Sequence, residues 1–108
     1  MQIEKGETII PEQGQNEMLA ENLIGLSLMN QKKEEIGQVN DLILDENGKL
    51  SGVVVGVGGF LGIGEKNVGV AWNRISFSPE QDLATVELSR QQLEQAPEFK
   101  SLDTQAQQ

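Results

Sequence analysis

Residues 50–72 have the sequence LSGVVVGVGGFLGIGEKNVGVAW, and this stretch decides the fold. Val53, Val55 and Val57 alternate with Val54 and two glycines, which predicts a strand carrying these three valines on one face and mostly glycine on the other. Glycine on the opposite face permits sharp coiling and the close approach of another backbone. Four glycines in the middle of the stretch predict a corner, and alternation resumes from Val68. The stretch therefore predicts two strands of a small barrel, joined by a glycine-rich corner.

The corner and the start of the second strand supply the candidate interaction surface. The large apolar residues of the corner either close one end of the barrel or form an exposed knob for a partner. The charged pair that follows is expected at a solvated turn tip. The only tryptophan is expected in the core, although tryptophan is also enriched at binding hot spots. The predicted surface consists of Phe60, Leu61, Ile63, Glu65, Lys66 and Trp72.

Composition restricts the chemistry that is open to this chain. Its 108 residues correspond to one domain, large enough for its own core. Cysteine, histidine and tyrosine are all absent, which removes disulfides, the commonest general base and the commonest transition-metal ligand. The formal charge of -9 disfavours nucleic acid and anionic lipid as partners. We expect no cofactor, no metal and no catalytic site.

The two ends of the chain are polar. Residues 1–21 are predicted to be a flexible leader and residues 100–108 a flexible tail, which leaves the domain to residues 22–99. No apolar run approaches the roughly 20 residues of a membrane span. No signal peptide is visible, so the chain as it stands indicates a soluble cytoplasmic protein, or a periplasmic one if a signal was removed. The sequence does not decide between these two compartments.

The first half of the domain predicts three strands. The first covers residues 23–30, with Ile24, Leu26 and Leu28 on one face. The second covers residues 36–44, where three consecutive apolar residues indicate a bulge or burial on both faces. Asn47-Gly48 predicts a tight hairpin to the third strand.

The second half predicts a short extended piece with Ile75 and Phe77 inward, and a last strand over residues 83–88. Ser89 and Gln92 have the spacing of a capping box that starts a short helix, with Leu93 facing the barrel. Pro97 ends this helix, and the following phenylalanine is expected to pack beside it. The fold class is therefore all-β: a small barrel of five to six mostly antiparallel strands with a short C-terminal helix.

Three nucleotide or metal motifs were tested on their spacing, and all fail. The glycines do not fit the dinucleotide pattern, because Leu61 or Asn67 stands where the third glycine is needed. A phosphate-binding loop would need lysine where Glu65 stands. The segment from Asp45 lacks the alternate ligands of an EF-hand. Asp41 is either outward-facing or bound to backbone amides near the bulge, with Glu65 as the only obvious second carboxylate.

Residues 36–55 (IGQVNDLILDENGKLSGVVV), 58–72 (GGFLGIGEKNVGVAW) and 93–99 (LEQAPEF) together resemble the PRC-barrel family. The family takes its name from the H subunit of the photosynthetic reaction centre, and it includes the C-terminal domain of a ribosome maturation factor. The resemblance implies a compact β-barrel that docks to other proteins and has no common catalytic motif. The chain is most similar to stand-alone bacterial members. It differs from relatives at Gly69 and Ala71, where alanine and proline are common.

The resemblance and the composition lead to one expected function. It is a non-catalytic interaction module that self-associates, as a homodimer, through a barrel edge or the apolar corner. Two alternatives are a small-ligand or lipid-binding barrel and a cation-responsive stress module that uses surface carboxylates. The sequence does not identify the protein partner.

Overall fold

Six strands form one curled sheet in the computed structural model of the chain, which describes residues 8–58, 65–78 and 81–106. The strands are β1 (Ser27–Met29), β2 (Glu35–Leu44), β3 (Leu50–Gly58), β4 (Glu65–Ala71), β5 (Ile75–Ser78) and β6 (Leu83–Val86). The helices are α1 (Ala20–Leu23), a 3-10 turn (Trp72–Arg74), α2 (Arg90–Gln95) and α3 (Leu102–Ala106). Within the described ranges, no helix is long and apolar enough to cross a membrane.

The strand order is β4-β3-β2-β1-β6-β5, and four of the five neighbouring pairs are antiparallel. This confirms the predicted all-β, mostly antiparallel architecture. The fifth pair, β1 with β6, is parallel and makes the sheet mixed. More than fifty residues separate these two strands along the chain, so no local turn signal could indicate their pairing.

The β2–β3 hairpin has the predicted Asn-Gly turn. Gly48 has a φ of +80°, a conformation that costs a side-chain-bearing residue about 1–2 kcal/mol. The Gly48 amide donates to the Asp45 carbonyl at 2.9 Å, and the Asp45 amide donates to the Lys49 carbonyl at 2.8 Å. The Asp45 carboxylate also accepts from the amides of Asn47 and Lys49. The turn residues thus satisfy their own backbone groups and pin the register of β2 on β3.

A bulge interrupts β2 just before the three consecutive apolar residues for which the sequence predicts one, and a second register shift lies within them, between Ile43 and Leu44. The pairing with β3 shifts between Val39 and Asp41, which makes Asn40 the extra residue. The exposed Asp41 carboxylate accepts the amide hydrogen of Leu42 at 2.8 Å. Both features predicted for Asp41, an outward orientation and a backbone amide partner, are present together.

The start of the domain differs from the prediction. Residues 20–23 form a helical turn, and Gly25 has a φ of +91° that redirects the chain before β1 begins at Ser27. Leu23 is consequently buried and Ile24 is 45% exposed. The prediction that Ile24 lies on the inner face is wrong, because Gly25, with its positive φ, breaks the strand alternation between Ile24 and β1.

The interior is filled by apolar side chains from every sheet strand and from α2. Val53, Val55 and Val57 share the inner face of β3 as predicted, and each is at most 2% exposed. The other fully buried large side chains are Leu28, Val86 and Leu93. Trp72, Ile75, Phe77 and Leu88 are half-buried against this cluster, as expected.

Close backbone approach explains two of the strand glycines. A Cβ on Gly52 would lie 2.5 Å from the Val70 carbonyl oxygen, and one on Gly37 would lie 2.5 Å from the Gly56 carbonyl oxygen. Such separations are shorter than real Cβ contacts, so these sites admit only glycine without a backbone shift. The coiling of the sheet thus depends on missing side chains, as the sequence predicts.

The segment that follows β6 crosses back to the far edge of the sheet. Ser89 and Gln92 form the complete capping box at the start of α2, and Leu93 anchors the helix in the core at 1% exposure. Beyond the helix, the Phe99 amide donates to the Asn67 carbonyl at 2.7 Å. Phe99 therefore lies on β4, and its packing beside the helix stays a prediction.

Candidate interaction surface

A polar network covers the outer face of the sheet where β2, β3 and β4 adjoin the corner. Asn40 is its centre, and its Nδ2 donates to Glu65 Oε1 at 2.7 Å and to Asn67 Oδ1 at 3.0 Å. Gln38 Nε2 donates to Asn40 Oδ1 at 3.3 Å. The bulge turns Asn40 outward, and the antiparallel registers bring β4 residues 25 and 27 positions away within reach. We call Gln38, Asn40, Glu65 and Asn67 the outer polar network.

Gly56 forms the floor of this network. It is buried, and it pairs with Gln38 on one side and Asn67 on the other. A Cβ at this position would collide with the Glu65 carboxyl group and the Asn40 amide. The glycine therefore lets the polar side chains lie flat across the middle strand and reach each other.

A small apolar group lies next to the network on the same face. The Phe99 ring and the end of Ile43 both lie over Gly69. Val54, the cross-strand partner of Gly69, is only 6% exposed although it does not belong to the main core. The outer face of β2–β4 thus has a polar half and an apolar half, and the C-terminal segment contributes the aromatic ring.

The predicted surface residues do not share one face in the structure. Glu65 belongs to the outer polar network and is exposed. Lys66 extends from the opposite face of β4, where its ammonium donates to the carbonyls of Glu94 and Ala96 at the end of α2. Trp72 lies in the 3-10 turn, half-buried against the core. The two charged residues are the first two residues of β4, not a solvated turn tip.

The three apolar corner residues, Phe60, Leu61 and Ile63, lie outside the described residues. Whether they plug the barrel or form a knob stays a prediction. The described end residues of the corner, Gly58 and Glu65, pair directly across β3 and β4. The corner therefore starts immediately beside the outer polar network.

Sequence reasoning missed Asn40, Asn67 and Phe99 as members of this surface. A weak signal was available, because Gln38 and Asn40 flank the apolar Val39, and Glu65 and Asn67 stand two positions apart at the start of β4. That pattern predicts two polar faces but not that they meet. The proximity of the two polar faces depends on the β2–β3 and β3–β4 registers and on the bulge in β2.

The arrangement offers hydrogen bonding rather than acid–base chemistry. Three of the four network side chains are neutral amides, and Glu65 is the only carboxylate among them. No group of three acidic, histidine or cysteine side chains that could hold a metal occurs within the described part of the chain. Amide and carboxylate groups on an exposed sheet face suit contacts with polar groups of another macromolecule.

A groove of about 630 Å³ lies on a different part of the surface, beside β5 and β6. Ser76 and Thr85 face each other across the strand pair and line it, with Arg74 at the start of β5 and Glu87 after β6. A second, smaller groove places Met18 and the residues around it beside Phe77. The chain that precedes α1 therefore runs next to β5.

Comparison with known proteins finds similar solved structures and one matching family. A Pseudomonas aeruginosa protein assigned as the 16S ribosomal RNA processing protein RimM is 17% identical, with a TM-score of 0.46. The match covers 76% of this chain and 50% of that one, so this chain spans about half the length of the RimM protein. No curated protein matches the sequence.

The family model named PRC-barrel domain matches residues 15–92, which include all six strands and the start of α2. The match agrees with the resemblance drawn from the sequence and with the curled, mostly antiparallel sheet. The chain belongs to the PRC-barrel domain family.

Proposed function

We propose that this protein is a non-catalytic protein-interaction module that self-associates through its outer surface. The observation that carries the proposal is the filled interior: Leu28 and Val55 are completely buried, and Leu93 closes over them. A barrel of this size filled by its own side chains has no room for a ligand inside. Recognition is then left to the strand edges, the outer face and the corner.

Two surfaces support self-association. Among the described residues, β5 pairs only with β6, so one edge of the sheet presents backbone groups without a strand partner. Unpaired edges are normally protected, and a homodimer would protect this one. The corner with Phe60, Leu61 and Ile63 is the second candidate surface, adjoining the outer polar network.

Sedimentation velocity over a range of protein concentrations tests the self-association directly. We expect a concentration-dependent shift from the mass of one chain to that of two. A strict monomer at the highest soluble concentration would refute self-association. Crosslinking followed by capture from the native organism then identifies any different protein partner.

The Phe60→Ser variant tests the corner as the contact surface. If the corner is an exposed knob, this variant weakens association while the melting temperature stays nearly unchanged. A large loss of thermal stability would assign Phe60 to the core of the barrel instead.

Native mass spectrometry of freshly purified protein separates this function from that of a small-ligand or lipid-binding barrel. The proposal predicts the mass of the polypeptide or its dimer alone. A small molecule that stays bound through purification would contradict it.

A further inference from the structure

The segment before α1 exposes two adjacent isoleucines. We call residues 8–12, Thr-Ile-Ile-Pro-Glu, the N-terminal arm. Ile9 is 72% exposed and Ile10 is 74% exposed, so neither packs on its own barrel. β-branched residues in extended chain are the type that adds to a sheet.

The two edges of the sheet differ in how they are covered. The β4 edge receives the Phe99 amide at the Asn67 carbonyl. The β5 edge, Ile75–Ser78, has no backbone partner beyond β6 in the part of the chain that the structure describes. The edge is four residues long, which is enough to pair with a short added strand. An edge of this kind is a template for strand addition from another chain.

Charge favours the same pairing. The arm ends in Glu12, and Glu7 precedes it in the sequence. Arg74 stands directly before β5, is exposed, and forms no ion pair within the described ranges. An acidic extended segment on the β5 edge would bring a carboxylate towards this guanidinium. The molecule as a whole is strongly acidic, so an arginine beside this edge favours acidic segments over basic ones, although Glu87 lines the same groove.

We propose, building on the self-association proposed above, that the N-terminal arm of one copy adds as a strand to the β5 edge of a second copy. The root of the arm already lies beside β5, since Met18 and Phe77 line one groove. Two copies related by a two-fold axis can therefore exchange arms reciprocally. In each exchange the arm pairs with the β5 edge of the other copy and buries its two isoleucines. Once one arm is bound, the second binds within the same dimer, as an intramolecular event.

The double variant Ile9→Ser/Ile10→Ser tests the arm. Loss of four buried isoleucines per dimer is expected to raise the dimer dissociation constant by more than about tenfold in sedimentation experiments. The control is Leu102→Ser, which removes a similarly exposed apolar side chain, 80% exposed, near the other end of the chain. This control is expected to leave the dimer dissociation constant unchanged. A dimer that the arm variant does not weaken overturns the inference and leaves the proposed self-association intact.

Engineered disulfides test the edge, since the chain has no cysteine of its own. Thr8→Cys and Ser78→Cys are made as separate, differently tagged chains, mixed and oxidised. Strand addition predicts efficient disulfide formation between the two tags, with little for Thr8→Cys mixed with Lys49→Cys in the distant hairpin turn. Equal yields in both mixtures would overturn the pairing. If the wild-type chain is monomeric at every concentration, the proposed self-association fails together with this inference.

Discussion

The Phe99 ring lies over Gly69, with its Cδ1 atom 3.1 Å from the point that a Cβ on the glycine would occupy. The Phe99 amide also donates to the carbonyl of Asn67, two residues earlier on the same strand. An aromatic ring over a strand glycine restores the packing that the missing side chain leaves open. The C-terminal segment is thereby joined to the edge of the sheet by a backbone hydrogen bond and by packing.

Phe99→Ala is expected to destabilise the fold by about 1–2 kcal/mol. Complete burial of a phenylalanine would give a larger loss, but this ring is 37% exposed. Urea denaturation measures the change in the free energy of unfolding. Leu102→Ala, in the same tail, is the control and is expected to change stability by less than about 0.5 kcal/mol. Similar losses in both variants would contradict the packing of Phe99 on the sheet.

Gly69→Ala tests the same contact from the strand. Gly69 does not have a positive φ, so alanine is compatible with its backbone and restricts the unfolded chain. In the wild type the new methyl group presses on the ring, and we expect a net effect near zero or slightly destabilising. In the Phe99→Ala background the methyl group fills space, and Gly69→Ala should stabilise by about 0.5–1 kcal/mol. Additive effects in this double-mutant cycle would show that the two residues do not interact.

Gly52 and Gly56 are neighbours on one strand face but should differ in their response to alanine. At Gly52 the obstacle is the Val70 carbonyl oxygen, which cannot move without disturbing β4, so a loss of about 3 kcal/mol is expected. At Gly56 the obstacles are the ends of the Glu65 and Asn40 side chains, which can rotate away. The cost there is the broken hydrogen bonds, about 1 kcal/mol.

Thermal and urea unfolding of the two alanine variants gives this ranking directly. Gly56→Ala in a Glu65→Ala background should cost less than in the wild type, because the principal obstacle is gone. A greater loss for Gly56→Ala than for Gly52→Ala would mean that the outer polar network is rigid.

Lys66→Met should loosen α2. The ammonium group donates to the carbonyls of Glu94 and Ala96, the latter at 2.8 Å, where helix carbonyls lack partners. Methionine keeps most of the aliphatic length and removes these bonds, so we expect a loss of about 1–2 kcal/mol. Hydrogen exchange should show faster exchange of the α2 amides, which Lys49→Met in the hairpin should leave unaltered. Unchanged exchange in α2 would exclude Lys66 as its C-terminal partner.

Gly48→Ala should destabilise the hairpin by about 1–2 kcal/mol, because φ at this position is +80°. Gly48→Asn, which tolerates that conformation better, should recover part of the loss. Equal stability of the alanine and asparagine variants, measured by urea denaturation, would refute the role of backbone conformation here.

The candidate surface could be predicted only in part from the sequence. Alternation assigns Glu65 to one face of a strand and Lys66 to the other, once the strand is known to begin there. The sequence does not show that Asn40, in a bulge, reaches Glu65 across the intervening Gly56. That contact depends on the β2–β3 register, on the β3–β4 register and on the extra residue in the β2 bulge. The exposed Ile24 was missed for a related reason: Gly25, with its positive φ, breaks the strand alternation between Ile24 and β1.

The sequence by itself determined the elements whose cause is local. The Asn47-Gly48 turn, the valine face of β3 and the Ser89–Gln92 capping box each depend on residues within a few positions, where steric and hydrogen-bonding rules apply directly. Only the tertiary structure decided the parallel pairing of β1 with β6, the ring of Phe99 over Gly69 and the bond from Lys66 to α2. Those contacts join residues about thirty or more positions apart, and only the curling of the whole sheet and the path of the C-terminal segment bring them together.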